Sequence, residues 1–122
     1  MSKIALIVDD SPTIRSMVKA TLDRMNFECM TAQDGEKALK ILGDKKVDVI
    51  ITDINMPNMD GIELIRMLRG IENAKFTPIL VLTTESGDNI KQAGKQAGAT
   101  GWIVKPFKPE VLQNAVTKVC GL

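Results

Sequence analysis

Three aspartates and a lysine carry most of the chemistry this sequence can offer. Asp9 and Asp10 follow one short apolar run, Asp53 follows another, Thr83 closes a third and Lys105 follows a fourth. Carboxylates brought within a few ångströms repel by about 4 kcal/mol per pair at an effective dielectric near 20. Protonating one of them is one way out. A divalent cation relieves the repulsion better, and Mg²⁺ suits such a place because it takes one or two carboxylates together with waters and phosphate oxygens. Lys105 and the Thr83 hydroxyl could then hold the remaining oxygens of a phosphoryl group. The chain contains no histidine, so no imidazole base acts from within it. Acid–base or phosphate chemistry here must run on carboxylates, lysine and hydroxyls.

Taken singly, each residue has a plainer reading. An Asp pair after a strand can cap the next helix, although Ser11 already stands at the cap position. Asp53 could be an ordinary acid of the turn-rich stretch that runs through Asn55 and Pro57 to Gly61. Lys105 alone reads as a solvated lysine, and Thr83 as a strand-end hydroxyl bonded to its own backbone. Asn55, Glu85 and Trp102 are weaker signals, the last an aromatic that covers apolar surface. Joint placement at one rim is what favours a site.

The elements that must supply that rim are legible. Five apolar, β-branched-rich runs read as strands: Ile4 to Val8, Phe27 to Thr31, Val47 to Thr52, Ile79 to Leu82, and Trp102 to Val104. Between them lie helical patterns. Ser11 and Pro12 open the first, with Ile14, Met17, Val18, Leu22 and Met25 on one face. Asp34 to Leu42 forms the second, and Asp60 with Glu63 makes a capping-box pattern ahead of Leu64, Ile65 and Leu68. Ile90, Ala93, Gly94 and Ala97 give a thin stripe weakened by Gly94 and Gly98, so the fourth helix should be the loosest. Leu112, Ala115, Val116 and Val119 mark the last. Alternating strands and helices demand parallel strands with right-handed crossovers, an α/β sandwich of three layers. The second and fifth strands, mixed or short, belong at the edges. Ligands of open parallel sheets bind beyond the carboxyl ends of the strands, which is where the acids, Thr83 and Lys105 fall.

Composition excludes several other classes. At 122 residues, 44% hydrophobic and 25% charged, the chain reads as one globular domain spanning 1–122. The net charge of +1 leaves no electrostatic footprint for nucleic acid. No apolar run approaches the roughly 20 residues that span a bilayer, and no signal-peptide pattern opens the chain, so a cytoplasmic protein that does not engage membranes is expected. Cys29 and Cys120 lie far apart, against zinc sites and disulfide scaffolds.

Five co-linear elements resemble the receiver domain of two-component response regulators, in its single-domain, CheY-like chemotaxis form. They are the acidic pair in Ile7-Val8-Asp9-Asp10, Thr52-Asp53-Ile54-Asn55-Met56-Pro57 with Asp60-Gly61, Thr83, and Val104-Lys105-Pro106-Phe107. The resemblance covers the whole chain and implies a five-stranded parallel sheet of order 2-1-3-4-5 flanked by five helices. It implies that Asp53 accepts a phosphoryl group from a phosphohistidine of a CheA-like histidine kinase. Asp10, Asp53 and the backbone carbonyl of Asn55, with Asp9 partly through water, would hold Mg²⁺, with Mn²⁺ as a substitute. Lys105 would pair with the phosphate, across a cis bond to Pro106. Thr83 and Trp102 occupy the switch positions, with Trp where Tyr or Phe is usual, and the surface of helix four, strand five and helix five would be the output face. Asn55 and Glu85 would tune autodephosphorylation. The implied partners are the kinase, a flagellar motor switch component and a phosphatase, with the chain itself a monomer.

Other functions fit less well. A phosphate sink or phosphorelay intermediate would look alike in sequence. A haloacid-dehalogenase-like phosphohydrolase places its acids as D-x-D after strand one and needs a cap, neither of which is found. A flavodoxin-like carrier should not set Asp9 and Asp10 against a flavin phosphate.

Overall fold

The computed structural model describes residues 3–122. Five strands, β1 (Lys3–Val8), β2 (Phe27–Ala32), β3 (Val49–Thr52), β4 (Ile79–Thr83) and β5 (Gly101–Val104), alternate with five helices. These are α1 (Pro12–Arg24), α2 (Gly35–Leu42), α3 (Gly61–Arg69), α4 (Asp88–Ala97) and α5 (Pro109–Cys120). All strand pairs are parallel, in the order β2-β1-β3-β4-β5. The edges are therefore β2 and β5, as expected from the mixed composition of the one and the shortness of the other.

Side chains alternate across each strand, so the sheet feeds two cores. Leu6, Val8, Ile50, Ile79 and Val81 pack with Ala38, Leu42, Leu64, Ile65, Leu68 and Ala97 from α2, α3 and α4. The intervening Ala5, Ile7, Val49, Ile51, Leu80 and Leu82 pack with Val18, Leu22, Leu112 and Val116 from α1 and α5. Every residue of β3 and β4 is buried, which accounts for their unbroken apolar runs.

Local chemistry sets the ends of these elements. The Ser11 hydroxyl accepts from Ile14 N at 3.3 Å, Asp34 from Lys37 N at 2.9 Å and Asp60 from Glu63 N at 2.8 Å, so three of the helices start on a side-chain cap. Helix α4 starts at Gly87 without one, and only Gly94 and Ala97 of its residues are buried. The third strand begins two residues later than its apolar run. Asp48 Oδ2 takes the Ile4 N–H at 2.7 Å, a place a regular ladder carbonyl would fill.

Arg69, at the end of α3, carries no signal in the sequence. Its guanidinium donates to the carbonyl oxygens of Gly98 (2.8 Å from Nη2), Ala74 (3.0 Å) and Thr77 (2.7 Å). One cation thereby ties the end of α4 to the α3–β4 connection and satisfies carbonyls that the helix end leaves open.

Burial, aided by the charge of Asp23, pushes the Cys29 thiol up to about 11. Only the thiolate reacts with alkylating reagents. At pH 8 Cys29 is expected to react with iodoacetamide about two orders of magnitude more slowly than an unperturbed cysteine of pKa near 8.5. Mass spectrometry of a timed alkylation series measures this, and a rate equal to that of a free thiol would contradict it.

Candidate functional site

Register brings the strand ends together. Val8 pairs with Thr52, and Asp53 N donates to Val8 O at 3.0 Å, so Asp9 and Asp53 leave adjacent strands side by side. On the other side, Thr83 pairs with Val104 and Lys105 N donates to Thr83 O at 2.8 Å. Lys105 extends back across this rim. Its Nζ lies 2.7 Å from Asp9 Oδ2 and 3.0 Å from Asp53 Oδ2. Asp9, Asp10 and Asp53 each place a carboxylate oxygen within 4.8 Å of the others, with Asp9 and Asp53 buried and Asp10 exposed.

Both carboxylates that meet Lys105 are also held by backbone amides. Asp9 Oδ1 accepts from Ser11 N at 2.9 Å, and Asp53 Oδ1 accepts from Ile54 N at 2.7 Å. Burial raises the pKa of Asp9 despite the lysine and the Ser11 amide. The Lys105 ammonium is also desolvated, but its two carboxylate partners outweigh that and raise its pKa. One ammonium shared between two carboxylates explains the difference: the lysine is doubly compensated, and Asp9 only in part.

The local charge is three carboxylates against one ammonium. An all-oxygen donor set with surplus negative charge and neither histidine nor thiolate suits a hard divalent cation of the Mg²⁺ kind. Arg15 of α1, unremarked in the sequence, adds a second cation at this rim, although its Nη1 donates to the Asp9 carbonyl at 2.6 Å and not to a carboxylate.

The remaining residues singled out in the sequence lie in one chain of hydrogen bonds. Thr83 is fully buried, and its Oγ1 accepts from Glu85 N at 3.3 Å. Asn55 Nδ2 donates to Glu85 Oε1 at 3.0 Å, and Trp102 Nε1 donates to Glu85 O at 2.9 Å. Glu85 thus connects the loop after β3, the end of β4 and the aromatic of β5. The Lys105–Pro106 bond is cis.

Two glycines prove more important than the sequence indicates. A Cβ on Gly94 would lie 2.5 Å from Trp102 Cζ3, so the residue that weakens α4 also makes room for the indole. A Cβ on Gly61 would lie 2.0 Å from the backbone oxygen of Asp53. The α3 terminus therefore sits directly against the acid-bearing loop.

Known proteins resemble this chain in sequence and in fold. The family model of the response regulator receiver domain matches residues 5–117. The chain belongs to that family. Among curated relatives, the chemotaxis protein CheY of Pseudomonas aeruginosa is 41% identical over 116 residues, covering 93% of each chain. CheY1 of Helicobacter pylori is 39% identical over 118 residues, covering 95% of each. Among solved structures, chemotaxis protein CheY4 of Vibrio cholerae superposes with a TM-score of 0.93 at 48% identity, covering 98% of this chain and 99% of that one. The receiver domain of a sensor histidine kinase from Pseudomonas aeruginosa, with a magnesium ion coordinated in its active site cleft, gives a TM-score of 0.91 at 27% identity over the whole of both chains. The receiver is thus a two-component response regulator, and its sheet order is that of the CheY-like flavodoxin fold. Among the described residues no helix is long and apolar enough to cross a membrane.

Proposed function

We propose that this receiver is a cytoplasmic phosphorylation switch, acting in chemotaxis, whose acceptor is Asp53. The observation that carries the reading is the Lys105 ammonium bridging Asp9 and Asp53 at the sheet rim, with Asp10 beside them. Asp10, Asp53 and the Asn55 carbonyl, with Asp9 partly through water, would hold Mg²⁺, the ion found in the related kinase receiver. When bound, the ion neutralises charge shared by the carboxylate and the incoming phosphoryl group.

Asp53 acts as nucleophile through the carboxylate that Ile54 N and Lys105 hold in place. One of its oxygens bonds to phosphorus as the bond to the kinase histidine nitrogen breaks, and the departing imidazole keeps the electron pair. Lys105, released from its pairing with the Asp53 oxygen, follows the new negative charge onto the phosphoryl oxygens. Thr83 turns its hydroxyl to the same oxygens, which breaks its contact with Glu85 N. Because Glu85 O also accepts the Trp102 indole, this movement reaches the packing of Trp102 on Gly94 and the α4–β5–α5 face. That face would engage a downstream partner, a flagellar motor switch component being the target in keeping with the chemotaxis relatives. A phosphatase would act at the same rim.

Fluorescence of Trp102, the single tryptophan, tests acceptor and switch together. Addition of Mg²⁺ and then acetyl phosphate is expected to change its intensity in the native protein and not in Asp53→Ala. An equal response in both would end the proposal.

Asn55 and Glu85 would flank the path of a water attacking the aspartyl phosphate, a reading supported by the hydrogen bond that joins the amide of one to the carboxylate of the other. Glu85→Ala is expected to slow autodephosphorylation about tenfold, less than the roughly 10²- to 10⁴-fold of a group that itself transfers the proton, because Glu85 would only orient the water. Loss of the phosphorylated species after the donor is removed reports the rate, and unchanged kinetics would exclude Glu85 from this role.

A further inference from the structure

One contact at the rim has no part in phosphoryl transfer or in the switch. Asp34, 3% exposed, caps α2 through Oδ1, but its second oxygen accepts a hydrogen bond from Asn58 Nδ2 at 3.3 Å. Asn58 belongs to the connection between β3 and α3 and holds a left-handed φ of 71°. Next to this pair, a Cβ on Gly35 would meet Met59 Sδ at 2.9 Å, so the Met59 side chain lies directly over the first residue of α2. The connection is therefore fastened to α2 by a polar contact and an apolar one. At its far end, Gly61 N donates to Ile54 O at 2.8 Å and closes the loop on itself. Asp34 and Asn58 also share a cavity of about 360 Å³ with Asp10 of the acid cluster.

We infer that Asp34 and Asn58 are positioning residues, which fix the 54–60 loop and with it the Asn55 backbone carbonyl that would join Asp10 and Asp53 in holding a cation. The inference rests on the reading of the acid cluster as a divalent-cation site. The physical ground is that a backbone carbonyl can move only with its loop. The loop has a single side-chain hydrogen bond to α2, made by the residue that is in the left-handed conformation. Such outer partners tune metal affinity by about 10- to 100-fold in other sites.

Asn58→Gly separates positioning from fold stability. Glycine adopts a positive φ without strain, so the loop keeps its backbone path and loses only the tie to Asp34. Calorimetric titration with Mg²⁺ is expected to give about tenfold weaker binding, while the melting temperature of the metal-free protein stays where it was. Exchanging the partners, Asp34→Asn with Asn58→Asp, keeps the net charge, the α2 cap and a hydrogen bond between the two positions, and is expected to restore the native constant. If native protein binds Mg²⁺ and Asn58→Gly binds it equally well, the positioning role is overturned and the cation site stands. If affinity falls only in step with a lower melting temperature, or the exchanged pair does not recover, Asn58 is a structural residue and the inference fails. Absence of any Mg²⁺ binding by the native protein would remove the site itself and the inference with it.

Discussion

Asp53→Asn is expected to abolish phosphorylation by acetyl phosphate or by a phosphorylated kinase while leaving the fold intact. An amide is a far poorer nucleophile than a carboxylate and cannot form an acyl phosphate of comparable kind, so the loss should exceed about a thousandfold. The variant keeps an oxygen to accept the Ile54 amide. It also removes one of three crowded carboxylates, leaving Lys105 to Asp9 alone. Relief of that repulsion offsets the lost ion pair, so thermal stability should hold or rise, as is common when a strained functional site is simplified. Intact-mass analysis after treatment with the donor and Mg²⁺ tests the claim alongside a melting curve. Persistent phosphate incorporation would move the acceptor elsewhere; a collapsed fold would show that Asp53 is first a structural residue.

Gly61→Ala is expected to have the largest effect on stability. Its Cβ would stand 2.0 Å from the Asp53 oxygen and 2.9 Å from Ile54 Cα, both backbone atoms that no rotamer change can move aside. Overpacking of this kind costs about 3 kcal/mol or more, which for a domain of this size lowers the melting temperature by about 10 °C. Because the displaced atoms are those of Asp53 and Ile54, Mg²⁺ binding should weaken at the same time. Alanine is otherwise the better helix former. A melting temperature equal to or above that of the native chain would therefore show that the loop can shift freely, against so close a contact.

Much of this site can be read from residue order because a parallel sheet converts order into position. Ile7-Val8 before Asp9-Asp10, Ile50-Ile51-Thr52 before Asp53 and Leu80-Val81-Leu82 before Thr83 are strands by composition, and the polar residue at the end of each must emerge at the same rim. Caps at Ser11, Asp34 and Asp60 are equally legible, since they depend on neighbours three residues away. Contacts between distant segments are not. Nothing near Arg69 announces that it will collect carbonyls from Ala74, Thr77 and Gly98, and nothing near Gly94 announces an indole. The stretch around Gly94 reads as a weak helix because propensity counts the missing side chain and cannot count the ring that occupies its place.

Residue order and composition are enough to establish the succession of elements, the set of acids and hydroxyls at strand ends, and the absence of any imidazole from the chain. Those follow from local periodicity, which acts over a few residues and needs no knowledge of neighbours in space. It takes packing in three dimensions to make Lys105 bridge Asp9 and Asp53, to let Glu85 join Asn55 to Trp102, and to set Asp34 against Asn58. Each of these pairs is separated by 17 residues or more in the chain. Distances of about 3 Å between such partners are fixed by strand register and helix packing, both cooperative properties of the whole core.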